Sequence, residues 1–245
     1  MILRIKIKDF DFYKTFNSGL FYFFYEEKPV RVLYYNNKFI EANFEQKENY
    51  LIVKLNKEIK NRMDLINKIR YCFGLDEDMS FFYKLCMKDK VLRKFINEIR
   101  GTRIISPFSD FESFVGAIIS QNNSYKNYRR KMLEIYRKLN FVRKYYTYEN
   151  LMKLKLGYKI DYLLNLAKAK NLAGKIKGIG KYSINLYKIF RLRDYSSFYI
   201  DCLIEKIFRE EYGINTDIDK YSLKFWGNYR GLVGGYLQRF FEKIY

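Results

Sequence analysis

Residues 156–208 read LGYKIDYLLNLAKAKNLAGKIKGIGKYSINLYKIFRLRDYSSFYIDCLIEKIF. Lys177-Gly178-Ile179-Gly180 falls between two apolar patterns of helical period, and the second helix is predicted to open at Lys181 or Tyr182. Glycines there allow a tight turn whose backbone N–H groups point outward. Joined to a helix N-terminus, such groups form a site for a phosphate oxygen. The same residues also fit a helix C-cap followed by a sharp turn. Nineteen residues after Tyr182 stands Asp201, behind the largely apolar Ser197-Phe198-Tyr199-Ile200 and ahead of Cys202-Leu203-Ile204. An aspartate that opens a helix is an N-cap, a carboxylate at a pocket mouth, or both.

The rest of the chain narrows the chemistry open to that carboxylate. Among 245 residues there is no histidine, so the commonest general base and the commonest zinc ligand are both missing. Histidine triads, HExxH zincins and zinc deaminases are excluded. Three cysteines, Cys72, Cys86 and Cys202, are too few and too scattered for a disulfide framework or a four-cysteine metal or iron–sulfur site. The 47 Lys+Arg against 27 Asp+Glu leave a net charge of +20 spread along the chain, which a polyanionic partner explains economically. A lysine-rich solvated surface and an anionic membrane are the alternatives. MILRIKIKDF alternates apolar and basic residues where a secretory signal would be continuously apolar. Apolar runs stay well short of the roughly 20 residues of a membrane span. An intracellular protein, in cytoplasm or nucleoid, is expected.

The texture of the sequence changes once. Residues 1 to 58 carry β-rich segments, MILRIKI, LFYFFYEE, VRVLYYNNKFIEANF and NYLIVKL, separated by Asn17-Ser18-Gly19, Lys28-Pro29 and Asn36-Asn37. They predict a small antiparallel sheet. From residue 59 to 245 the period is helical, and Ser109-Asp110 is a ready N-cap ahead of FESFVGAII. The fold class expected is α+β: a β domain at 1–58 packed on a mainly helical body at 59–245, with no internal repeat or low-complexity linker.

Helix, GIG hairpin, helix and an aspartate 18 to 20 residues after that helix begins resemble the helix-hairpin-helix DNA glycosylase superfamily. Leu156-Gly157-Tyr158-Lys159-Ile160-Asp161-Tyr162 is similar to the LGYRxxY segment of its 8-oxoguanine branch. Gly101-Thr102-Arg103, Phe108, Phe111 and the helix ending Ser120-Gln121-Asn122-Asn123 are similar to the same branch, as are Phe10-Asp11-Phe12 and Asn17-Ser18-Gly19-Leu20. Trp226-Gly227-Asn228-Tyr229-Arg230 is similar to a WxPxR turn of the alkylpurine glycosylases. The resemblance runs through nearly the whole chain in order.

The resemblance implies a two-lobed glycosylase body with the hairpin motif at about 161–190, acting on double-stranded DNA that carries a lesion, as a monomer and away from membranes. It makes Asp201 the catalytic carboxylate. Gly178, Gly180, Lys181, Asn123 and Arg230 become DNA contacts, with Lys159 facing the orphaned base. Tyr158 and Asn122 become the side chains that fill the gap left by a flipped base; read without the family, they are a buried helix-start tyrosine and a polar helix C-cap. Tyr182 stands where bifunctional members carry a Schiff-base lysine, and Lys181, one residue earlier, is turned by about 100° toward phosphate. That favours hydrolysis over lyase chemistry. Of the 8-oxoguanine pocket only Gly19 survives; the glutamine and phenylalanine of the last helix fall, by ungapped count, on Gly234 and Gln238. No metal site and no cofactor are expected, apart from a monovalent cation that the hairpin could take.

A mechanism follows from the residues as well. Cleaving an N-glycosidic bond builds positive charge on the deoxyribose, which a nearby carboxylate stabilises while it orients or deprotonates water. The base must first leave the stack. Tyr182, Tyr229, Phe21 and Tyr22 could line an aromatic pocket that favours flat or cationic purines. The expected function is therefore a DNA N-glycosylase that excises a damaged or mismatched base, a purine, without lyase activity. A bifunctional 8-oxoguanine glycosylase/lyase and a non-enzymatic helix-hairpin-helix DNA-binding protein are the alternatives.

Overall fold

The computed structural model describes residues 1–19, 23–172 and 174–242. Strands β1 (Ile2–Lys6), β2 (Val30–Tyr35), β3 (Lys38–Lys47) and β4 (Tyr50–Leu55) form one antiparallel sheet in the order β1-β4-β3-β2. Alternate residues, among them Leu3, Ile5, Leu33, Ile40, Ala42, Phe44, Leu51 and Val53, point into a core, which is why these segments settle as half-buried strands. Asn36 and Asn37, at φ 48° and 59°, make the two-residue turn that pairs Tyr35 with Lys38.

Two features of this region depart from the sequence expectation. A helix, α1 (Phe12–Ser18), precedes β2, capped by Asp11, whose Oδ1 accepts from Lys14 N at 2.8 Å, and ended by Gly19 at φ 70°. The stretch expected as a strand at 20–27 is not one in its described part. Phe23, Phe24 and Tyr25 are buried as irregular chain, and Leu20, Phe21 and Tyr22 lie outside the described residues. Burial decides here over β propensity: Phe12, Phe23, Phe44 and Phe73 interlock beneath the sheet. Each such ring contributes about 1.5–3 kcal/mol.

The helices follow as α2 (Arg62–Cys72), α3 (Ser80–Lys88), α4 (Ile96–Ile99), α5 (Asp110–Ser120), α6 (Tyr125–Leu139), α7 (Tyr148–Met152), α8 (Lys159–Lys168), α9 (Lys181–Leu186), α10 (Cys202–Ile207), α11 (Ile218–Trp226) and α12 (Arg230–Phe241). Turns of π type at Tyr187–Arg191 and Phe208–Tyr212 prolong α9 and α10. Leu65, Ile69 and Cys72 of α2 join the core under the sheet. A second core gathers α5, α6, α7 and α8, and a third gathers α3, α4, α9, α10, α11 and α12.

Helix α5 is buried on every side from Phe111 to Ile119, as a central helix must be. Ser109 caps it, its Oγ accepting from Glu112 N at 3.1 Å. Glu112, also buried, accepts from Arg31 Nη2 of β2 at 2.7 Å, from the Tyr25 hydroxyl at 2.5 Å and from Phe108 N at 3.0 Å. Arg31 is enclosed by the Phe23, Tyr25 and Tyr136 rings. The sheet is thereby tied to the helical body through a charge pair that has no access to water.

Candidate active site

The hairpin is built by steric necessity. Gly178 has φ +93°, and a Cβ there would sit 2.2 Å from Tyr162 Cγ of α8. Gly180 is extended and opens α9, its carbonyl accepting from Ile184 N at 3.0 Å. Gln121, just past α5, donates from Nε2 to Gly178 O at 2.8 Å and to Ser183 Oγ at 3.0 Å, so the end of α5 and the hairpin move together.

Between the second and third cores lies a cleft of about 910 Å³. Lys181 and Tyr182 from α9, Asp201 at the start of α10 and Gln238 from α12 all reach it, and Gly19, Asn122 and Asn123 border it. Asp201 is a helix N-cap and faces the cleft at once, so both readings of it hold. Its Oδ1 accepts from Ile204 N at 2.9 Å and its Oδ2 from Gln238 Nε2 at 2.7 Å. Burial pushes its carboxyl above the usual aspartate range, against the pull of those donors. Tyr182 is half-buried, its ring edge-on to Tyr199 at 5.7 Å. Burial, and secondarily the Asp201 charge, raises its phenol, with Ser120 opposing.

Asn122 and Tyr158, expected to fill the gap left by a flipped base, stand side by side: Asn122 Nδ2 lies 3.4 Å from the Tyr158 hydroxyl. Tyr158 is 51% exposed, so it is not a buried helix-start residue. Asn122, at φ 47°, is one residue beyond the C-cap Gln121. Asn123 is engaged on both sides, donating to Ile119 O at 3.1 Å and accepting from Asn127 Nδ2 at 2.5 Å. The Gly19 carbonyl accepts from the Tyr125 hydroxyl at 2.9 Å.

Two expectations change. Lys159 was expected on the DNA side, but it is buried, its Nζ donating to Ile119 O at 2.8 Å and Gln121 O at 2.6 Å. A lysine at the start of α8 finds the unsatisfied carbonyls at the end of α5, and burial lowers its pKa from the lysine norm. Arg230 does not reach the cleft; its Nε donates to Ser196 O at 2.6 Å and its Nη1 to Asp219 at 2.9 Å, fastening a loop to α11. The sequence reading also missed that Lys206 and Arg239 border the cleft beside Lys181, and that Gln238 and Tyr199 support Asp201. Gly234 packs against Phe198, and its neighbour Gly235 faces the cleft. Phe21 and Tyr22 lie outside the described residues, while Tyr229 stacks on Phe81 and Phe82 away from the cleft. Among the described residues no three His, Cys, Asp or Glu gather as metal ligands, and no helix is long and apolar enough to cross a membrane.

The sheet, the helical cores, the hairpin and the aspartate at the cleft make up a fold that solved DNA glycosylases share. A 3-methyladenine DNA-glycosylase from Archaeoglobus fulgidus superposes with a TM-score of 0.80 at 18% identity, covering 98% of this chain and 98% of that one. MBOgg1 in complex with a low affinity DNA ligand gives 0.77 at 20% identity over 99% of this chain and 96% of that one. A Clostridium acetobutylicum 8-oxoguanine glycosylase/lyase, in complex with double-stranded DNA containing cytosine opposite 8-oxoguanine, gives 0.75 at 16% over 100% and 98%. No protein-family model matches the sequence, and no curated protein sequence matches it.

Proposed function

We propose that this protein is a DNA glycosylase that flips a damaged or mismatched purine out of the duplex and releases it by hydrolysis. The observation that carries the reading is Asp201, a partly desolvated carboxylate held by two donors at the mouth of an interlobe cleft beside the hairpin. As the glycosidic bond breaks, the base leaves with the bonding electrons and the sugar becomes cationic. A fixed carboxylate in a poorly solvated site stabilises that cation strongly. Its raised proton affinity suits it to take a proton from the water that adds to C1′. Lys181, Lys206 and Arg239 around the cleft supply charge for phosphates. Asn122 and Tyr158, adjacent and exposed, suit the space a flipped base vacates.

Tyr182 is a phenol and cannot form an imine, which supports hydrolysis without strand cleavage. A second reading, glycosylase with lyase activity, is favoured by one observation: Lys181 and Lys206 also border the cleft. Duplexes each carrying one lesion, scored with and without alkali and with borohydride trapping, separate the two. Base release should outrun strand cleavage, no adduct should be trapped, and Asp201→Asn should stop release while sparing affinity. A trapped adduct lost in Lys181→Ala or Lys206→Ala would establish lyase chemistry. Absence of base release from every lesion would leave a DNA-binding protein.

A further inference from the structure

Asp201 is held from two directions. Ile204 N, in its own helix, fixes Oδ1, and Gln238, from α12, fixes Oδ2. Gln238 is itself held, because its Oε1 accepts from the hydroxyl of Tyr199, a buried side chain two residues before Asp201. The direction of this chain is dictated by chemistry. An ionised carboxylate can only accept, so the amide must turn its N–H toward Asp201 and its oxygen toward Tyr199, whose hydroxyl then donates. Turned over, the amide would set oxygen against oxygen. The carboxylate excludes that alternative, and the Tyr199 hydroxyl holds the amide in the remaining orientation by donating to its oxygen.

We infer that Gln238, oriented by Tyr199, is a positioning residue that fixes the plane and the ionised state of Asp201; this rests on the glycosylase reading. Gln238 fixes Oδ2 from outside the helix, while the backbone N–H groups of Leu203 and Ile204 hold the carboxylate from within it. Other charged or titratable groups face the same site. Lys181 and Tyr182 come from α9, Cys202, Glu205 and Lys206 from α10, and Arg239 and Glu242 from the end of α12. Of these, Glu205 works in the opposite sense, disfavouring the charge.

The test uses Gln238→Met, which keeps the shape and loses the amide, and Tyr199→Phe, which loses one oxygen. A hydrogen bond to a charged group is worth enough that Gln238→Met should slow single-turnover base release about 10- to 100-fold and raise the acid limb of its pH profile by about one to two units. Affinity for the lesion duplex should stay unchanged. Tyr199→Phe should move both in the same direction by less, and the double variant should be no worse than Gln238→Met alone. Should Gln238→Met not fold, Tyr199→Phe carries the comparison. A folded Gln238→Met with wild-type rate and pH profile, or additive effects of the two changes, would overturn the inference. A carboxyl-carbon NMR titration of Asp201 in the free protein gives a readout that does not need activity. If the wild type releases no base, the glycosylase reading fails, and an unshifted Asp201 titration in Gln238→Met sinks the positioning role separately.

Discussion

Replacing Lys159 by Met decides between two roles for that residue. The stem of the side chain survives, and what is lost is the ammonium that donates to Ile119 O at 2.8 Å and Gln121 O at 2.6 Å. Ile119 O keeps Asn123 Nδ2 at 3.1 Å as a donor. Gln121 O loses its close donor at the end of a buried helix. An acceptor stripped of its partner costs about 1–3 kcal/mol, and the favourable meeting of a cation with a helix C-terminus adds about 0.3–1 kcal/mol. Relief from burying the charge offsets part of this, leaving a net loss of about 2 kcal/mol. For a chain of this size that lowers Tm by roughly 4–8 °C. The assay is thermal and urea unfolding, the urea midpoint falling at constant slope. Lesion-duplex affinity should fall with it, because the Gln121 and Asn122 backbone is no longer held. If Lys159→Met melts with the wild type but binds duplex more weakly and with a shallower salt dependence, the lysine contacts DNA and the anchor argument is wrong.

Gly178→Ala puts a methyl 2.2 Å from the Tyr162 ring in a left-handed conformation, so the hairpin must distort; a loss of more than about 2 kcal/mol, read by urea unfolding, is expected. Asp201→Asn should be more stable than wild type at neutral pH while inactive. Burial raises the Asp201 pKa in the folded state, so the fold binds the extra proton and stability falls as pH rises through the interval above the unfolded carboxyl value of about 3.9. Asn keeps the cap oxygen without the charge, and the gain in Tm should close as pH drops through that interval; an Asp201→Asn protein melting below wild type at pH 7 contradicts this. Lys181→Ala should weaken every duplex by a similar factor and flatten the salt slope by about one, read by titrations at several salt concentrations.

Local signals were legible in the chain. Gly178 and Gly180 announce the hairpin, Asn36-Asn37 the β2–β3 turn, and Ser109 the start of α5, since each sets its own backbone. Asp11 and Gly19 bracket α1 with equally readable cap residues, but the aromatic run beside them suggested strands. Phe23 to Tyr25 satisfy burial without a ladder, which periodicity cannot distinguish from a strand. Asp201 was found through its spacing from the hairpin. The partners Gln238 and Tyr199 were not, because Gln238 meets Asp201 across 37 residues and no pattern within α12 marks the contact. Lys159 and Arg230 were misplaced for a related reason: a basic side chain beside a motif looks solvent-facing until the carbonyls it satisfies are known.

Helix α5 has its first turn bound through Glu112 to Arg31 of the sheet, and its far end bound through Gln121 to the hairpin. Nine residues along the helix, a rise of about 13–14 Å, separate the two attachments. Such an element transmits load instead of absorbing it, so the sheet belongs energetically to the cleft although it lines none of it. Ligand that steadies Asn122 should therefore slow amide exchange in β2 and β3, and loosening Glu112 should be felt as poorer retention of ligand at the opposite end of the molecule.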